Sequence, residues 1–256
     1  MIPLVRATRY VTPLHEGGSL PGIVEADDLG TYVVKFRGAG QGPRVLVAEV
    51  IVGELARRLG IRVPDLVVVD LDEQIAKYEA HEEVQDLLTA SIGHNLGMDF
   101  LPGSFGFDAS CILDSDEAAA ILWLDAYVAN VDRSWRNPNL LVWHRRLWAI
   151  DHGAALYFHH GWRDGLTDAD RFAVQPYDAR DHVFAAYVDG VPSAHDRMAA
   201  LVNRRLLEDV VALVPSDWLE PVPGIEGPTG VRAAYVDFLL ARLAQPVRWL
   251  PQKRAA

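Results

Sequence analysis

Two carboxylates and a carboxamide stand at spacings that suit metal-assisted phosphoryl chemistry. Asp132 and Asn137 share the polar loop Asn130–Asn139, which Pro138 prevents from continuing as helix. Asp151 follows the second of two short apolar runs, Leu140–Trp143 and Leu147–Ile150, joined by the polar turn His144-Arg145-Arg146. Such runs read as a β-hairpin, which would carry Asp151 back towards the loop. Hard oxygen ligands of this kind suit Mg²⁺, which takes one or two carboxylates plus substrate phosphate oxygens. Phosphoryl transfer needs such a clamp and one more carboxylate to hold the attacking hydroxyl. Taken singly, an Asp or Asn in a loop caps a turn, and an Asp after a strand faces water. The combination is what points to chemistry.

These residues need elements to hold them. A helical run from Asp116 to about Ala129 feeds the loop, and Asp114 with Glu117 three residues later resembles a capping box. Upstream, residues 7–14, 22–26 and 31–36 read as short strands, the third (TYVVKF) rich in β-branched residues. Lys35 sits inside that third strand, where an uncompensated ammonium is costly; alternation with Val34 and Phe36 also permits a solvent-facing lysine. A helix over about 44–59 is closed by Gly60, and Glu49 lies close to its apolar side. A strand over 65–70 follows, then a polar helical segment over 71–92 and an extended stretch over 94–103. Residues 163–193 are polar and interrupted by Gly, Asp and Pro, and helices over about 194–214 and 231–244 close the chain around the Pro/Gly-rich 221–230.

The order D-x-x-x-x-N, hairpin, D is that of a kinase catalytic loop and metal-binding Asp. More specifically, N-x-D-R-x-x-x-N-x-N-L-L over 130–141, followed by I-D-H-G over 150–153, resembles the HipA-like serine/threonine kinases. It is also similar to the phosphatidylinositol 3/4-kinase branch. Ser134 stands where both groups usually carry His, and His152 replaces the Phe of D-F-G. The run Leu55-Ala56 to Gly60-Ile61-Arg62-Val63-Pro64 also matches the HipA-like pattern. The resemblance implies an α+β, two-lobed protein-kinase-like fold, with a small β-rich N-lobe over 1–96 and a mostly helical C-lobe over 97–256. It implies an ATP- and Mg²⁺-dependent transfer to a hydroxyl acceptor, expected to be a protein serine or threonine. Asp132 would accept or orient the acceptor proton, and Asn137 and Asp151 would ligate Mg²⁺. Arg133 would either neutralise transition-state charge or brace the loop. Lys35, oriented by Glu49, would hold the ATP phosphates beneath a loop at Gly17, Gly18 and Ser19. Met98, Phe100 and Leu101 would lie where the adenine is held.

Composition bounds the alternatives. With 35 acidic against 24 basic side chains, the net charge of −11 disfavours nucleic acid or an anionic membrane as partner. One cysteine, Cys111, excludes an internal disulfide and suits a reducing cytoplasm. The N-terminus lacks the pattern of a signal peptide, and no apolar stretch approaches the ~20 residues of a membrane span. The expectation is a soluble cytoplasmic protein. Three other functions stay open: a nucleotide-binding pseudokinase, a nucleotidyl transferase on the same fold, and an NAD(P)-binding oxidoreductase. The last rests on Gly38-Ala39-Gly40-Gln41-Gly42 between a strand and a helix, with Asp70 ending the next strand. It is weakened by Pro43 where the third glycine of G-x-G-x-x-G belongs. His152, His159 and His160 suggest a transition-metal site only if a second cluster supports it, so they read as packing residues.

Overall fold

A computed structural model describes residues 1–14, 20–40, 42–77, 79–108, 110–111 and 113–252. The chain forms two compact units, one of Met1–Leu46 with Pro64–Gly103, the other of Val47–Val63 with Ser104–Ala256.

The first unit is built from alternating sequences that bury one face. Strands β1 (Leu4–Pro13), β2 (Gly22–Ala26) and β3 (Thr31–Lys35) form a meander. Helix α1 (Pro43–Arg58) starts in this unit, and its residues from Val47 belong to the second. After it, β4 (Leu66–Leu71), helices α2 (Glu73–Lys77) and α3 (Glu82–Ala90), and β5 (Gly93–Asp99) complete a closed barrel of order β1-β2-β3-β5-β4. Closure leaves no sheet edge to protect. Val5, Val24, Tyr32, Val34, Phe36, Val67 and Val69 fill the interior together with Ala76, Val84 and Leu88 of the two short helices. A glycine is required at 97, because a Cβ there would stand 2.6 Å from Val67 Cγ2 and 2.7 Å from Val69 Cγ2.

The stretch over 94–103, expected to be an extended link, is for most of its length the strand β5. It pairs antiparallel with both β3 and β4. That order removes the dinucleotide-binding alternative. A Rossmann unit needs the strands on either side of α1 in one parallel sheet with right-handed crossover. Here β3 and β4 are separated by an antiparallel neighbour. The glycine at 38 has a packing reason instead, since a Cβ would lie 2.7 Å from the backbone of Ala90.

The second unit is mostly helical around α4 (Ser115–Val128), every residue of which from Ala118 to Val128 is buried. A helix apolar all round belongs in the middle of a core. Its N-cap is Asp114, whose Oδ1 accepts from the Asp116 N–H at 2.9 Å. Glu117 does not complete a capping box; its carboxylate pairs with Arg62 in the loop after α1. A small sheet of order β6-β7-β8 follows from Phe105–Gly106, Leu140–Trp143 and Arg146–Ala149. A 3₁₀ turn at Tyr157–Asp164 leads into the region expected as a polar loop over 163–193, which carries helix α5 (Ala169–Ala173) and a 3₁₀ turn at Ala185–Gly190. The single helix expected over 194–214 is two, α6 (Val191–Ala199) and α7 (Arg204–Val211), broken where Asn203 takes the N-cap role with its side chain accepting from Leu206 N–H. Helices α8 (Gly227–Leu243) and α9 (Pro246–Trp249) close the chain. Arg242 of α8 is fully buried and donates to the carbonyls of Ala126, Phe172 and Gln175. It thereby ties α8 and the segment after α5 to α4. Burial lowers its pKa to about 10, still well above neutrality. Among the described residues no helix is long and apolar enough to cross a membrane.

Candidate active site

The loop expected to carry the chemistry is held by one buried acid. Asp125 lies inside the apolar helix α4 and is wholly buried. Its Oδ2 accepts from Arg133 Nε at 2.7 Å and from His182 Nε2 at 2.9 Å, and its Oδ1 accepts from Asn130 Nδ2 at 2.8 Å. Burial alone would push this carboxyl up, but the Arg133 guanidinium and the His182 hydrogen bond outweigh it and hold the acid at about 2. The helix stops at Ala129, whose φ of +53° turns the chain into the loop.

Arg133 is the hub. Its side chain is buried, and beyond Asp125 its Nη1 donates to the carbonyls of Asn139 and Ile150. Its Nη2 donates to His152 Nδ1 at 3.1 Å. One guanidinium therefore ties the end of the catalytic loop to the end of β8. The Ile150 N–H returns a hydrogen bond to the Asn139 carbonyl at 3.0 Å. Of the two roles the sequence left open for Arg133, these partners are those of a brace.

Asp132 and Asn137 come together as their spacing suggested. Asn137 Nδ2 donates to Asp132 Oδ2 at 3.0 Å, and Asn139 Nδ2 donates to the same oxygen at 3.3 Å. Among the described residues, no hydrogen bond uses Asp132 Oδ1 or Asn137 Oδ1. Asp132 is half-buried and Asn137 exposed, so both oxygens are within reach of a ligand. Ser134 secures the turn, its Oγ accepting from the Asn137 N–H at 3.2 Å.

Asp151 comes directly after the braced Ile150, with a left-handed φ of +55°. Non-glycine residues held in that region cost about 1 kcal/mol or more and collect at functional sites. Asn139 at +48° and Leu156 at +54° are held the same way. The next residue, His152, donates its N–H to Glu49 Oε2 at 2.9 Å, so buried Glu49 on α1 is joined to this turn. Carboxylate and carboxamide oxygens such as those of Asp151 and Asn137 are the donor types that would suit a hard divalent cation completed by phosphate oxygens. Among the described residues no cluster of three or more His, Cys, Asp or Glu could hold a metal. His159 is instead a packing residue, within 3.0 Å of the Tyr235 hydroxyl, and His160 lies exposed against Tyr157.

The remaining expected residues belong to the first unit. Lys35 shares the outward side of β3 with Val33, opposite Tyr32 and Val34, yet is only 5% exposed, so it is not a solvent-face lysine. Met98 is a buried residue of β5, paired with Val33 on one side and Leu66 on the other. The strand pairing extends to Phe100, whose N–H donates to Thr31 O at 3.0 Å. Leu101 is buried, and among the backbone hydrogen bonds of the described residues none uses its N–H. Gly17, Gly18 and Ser19 lie outside the described residues.

Asp125, His152 and His182 belong to this network, and the sequence alone assigned them no role in the site. Asp125 had a signal, a lone acid inside the apolar run Ile121–Val128, where an unpaired carboxylate is untenable. His182 had none, because it is 57 residues from its partner Asp125 and sits in a polar stretch.

The architecture is similar to that of a solved kinase. The chain is similar to the Helicobacter pylori proinflammatory kinase CtkA, with a TM-score of 0.55 and 11% identity, covering 91% of this chain and 90% of that one. Two structures of the Golgi casein kinase match with lower TM-scores. One, with Mn/ADP bound, gives 0.45 at 13% identity over 94% of this chain and 72% of that one. The other gives 0.46 at 12% identity over 96% and 74%. The fold is kinase-like and α+β. The model of the HipA-like kinase family matches residues 8–251, and the chain belongs to that family. It is a phosphotransferase. No curated protein matches the chain.

Proposed function

We propose that this kinase transfers the γ-phosphoryl group of ATP to a serine or threonine hydroxyl of a protein, with Mg²⁺ as its metal. One observation carries the reading: two amides clamp Asp132 through Oδ2 and leave Oδ1 open, beside a braced turn that presents Asp151. Asp132 Oδ1 would accept the proton of the acceptor hydroxyl. Asn137, turned by its own hydrogen bond to Asp132, offers its carboxamide oxygen to the metal, with Asp151 as the second ligand. When bound, the metal neutralises charge on the phosphate oxygens. Arg133 acts here as a positioning residue.

The family resemblance assigns Lys35 to the ATP phosphates, with Glu49 to orient it, and a loop at Gly17, Gly18 and Ser19 to cover them. It assigns the adenine to Met98, Phe100 and Leu101. The Leu101 N–H is a donor that supports this assignment. In this reading residues 1–96 are the small lobe and 97–256 the large one, and the protein works in the cytoplasm, which its single free cysteine Cys111 suits.

The test is titration of ATP with and without Mg²⁺, then turnover. Positioned bases are worth ~10²–10⁴ in rate, so Asp132→Ala should lose about that much turnover and keep its Mg-ATP affinity. Asp151→Asn should weaken Mg-dependent nucleotide binding. Release of ADP supports phosphoryl transfer, whereas release of pyrophosphate would mean nucleotidyl transfer from the same site. Normal turnover by Asp132→Ala would remove Asp132 from the chemistry.

A further inference from the structure

The segment around His182 lies outside every motif in the sequence, yet it is zipped to the catalytic loop. Ser134 and His182 form an antiparallel bridge. On either side of it the Trp135 N–H donates to Asp181 O at 3.0 Å and the Val183 N–H donates to Arg133 O at 3.2 Å. Residues 181–183 thus run as a short extra strand along 133–135. The side chain of His182 then turns inward, where it is 1% exposed.

Its two ring nitrogens have different work. Nδ1 accepts the Phe184 N–H at 3.0 Å, so that nitrogen carries no proton. Nε2 is the protonated one and donates to Asp125 Oδ2 at 2.9 Å. His182 therefore serves as a hydrogen-bond donor to Asp125 beside the Arg133 guanidinium. Both donors meet at the same oxygen. The direction of that carboxylate sets the direction of the guanidinium, and the guanidinium sets the spacing between Asn139 and Ile150.

We infer that His182 is a positioning residue for phosphoryl transfer: through its Nε2–H bond to Asp125 it aims Arg133, and so fixes Asp132 and Asn137 against the turn that carries Asp151. This rests on the phosphotransfer reading above. Outer residues that orient reacting groups are commonly worth 10–100-fold in activity, because a displacement of about 1 Å at the reacting atoms costs that much.

Two conservative substitutions separate the bonds. His182→Gln keeps an N–H donor near the Nε2 position and loses the acceptor for Phe184. His182→Asn keeps an acceptor near Nδ1 and cannot reach Asp125. Both are small polar changes at one site, so a merely structural role moves them together. The inference expects kcat of His182→Gln to stay within about threefold of wild type and that of His182→Asn to fall about tenfold or more, with KM for ATP little changed in either. Equal losses in the two variants, or a greater loss in His182→Gln, would overturn it. Hydrogen exchange over residues 130–139 gives a second readout independent of turnover: faster exchange in His182→Asn alone supports the inference, and equal exchange in both overturns it. A wild-type protein that transfers no phosphate would instead sink the phosphotransfer reading, while exchange would still decide whether His182 aims the loop.

Discussion

Replacing Arg133 with Met would separate a bracing arginine from one that acts on the substrate. The side chain is buried, and it makes bonds to Asp125, to the carbonyls of Asn139 and Ile150, and to His152. Methionine fills similar volume but offers no donor. Removing one partner of a buried ion pair costs about 3–5 kcal/mol, because the other charge is left uncompensated. For a chain of this size that is roughly 6–20 °C in melting temperature. The pH dependence gives a sharper signature. In the wild type, Asp125 titrates at about 2 instead of 3.8. A depressed folded value contributes stability above the unfolded pKa, here roughly 2–3 kcal/mol, and loses it as pH falls towards 2. In Arg133→Met, burial acts on the carboxyl with only His182 and Asn130 to oppose it, and the folded value rises above the unfolded one. The sign then reverses, and the deficit against wild type should shrink as pH is lowered from about 8 to about 5. Urea or thermal denaturation at several pH values measures this. A deficit below about 1 kcal/mol, or one that grows on acidification, would refute the claim that Arg133 neutralises Asp125 and holds the loop.

Further outcomes are expected elsewhere. Ala129 holds a φ of +53° at the end of α4, so Ala129→Gly should relieve strain and raise stability by up to about 1 kcal/mol in urea denaturation. Gly97→Ala would push a methyl into Val67 and Val69 at 2.6 and 2.7 Å; it should cost about 1–3 kcal/mol, read as an earlier melt. Lys35 is 5% exposed on β3, and Lys35→Met should leave the fold intact by circular dichroism while raising the KM for ATP tenfold or more, on the order of 1.4 kcal/mol.

The sequence by itself determined the local pieces. Alternation marked the strands around Lys35, apolar helix periodicity marked α1, and a helical run behind the Asp114 cap marked α4. The five-residue interval from Asp132 to Asn137, capped by Pro138, announced a turn that would bring two oxygen-bearing side chains together, and the structure has Asn137 donating to Asp132. These are short-range consequences of backbone geometry and side-chain chemistry, so nearby residues suffice to read them. What only the tertiary structure decided depends on distant pairings. The glycine run after β3 suggested a dinucleotide turn until β5 was seen between β3 and β4. The residues over 94–103 lack the strict alternation of a half-buried strand because β5 is covered on both faces, with Asn95, Leu96, Gly97 and Met98 buried in succession. The role of Arg133 could not be chosen from spacing, since its partners are contributed by α4, by the end of β8 and by the turn after it. His182 was invisible for the same reason. A buried charge must find its partners wherever the fold brings them, and the hydrogen bond between Asp125 and His182 leaves no periodic trace in the 57 residues that separate them.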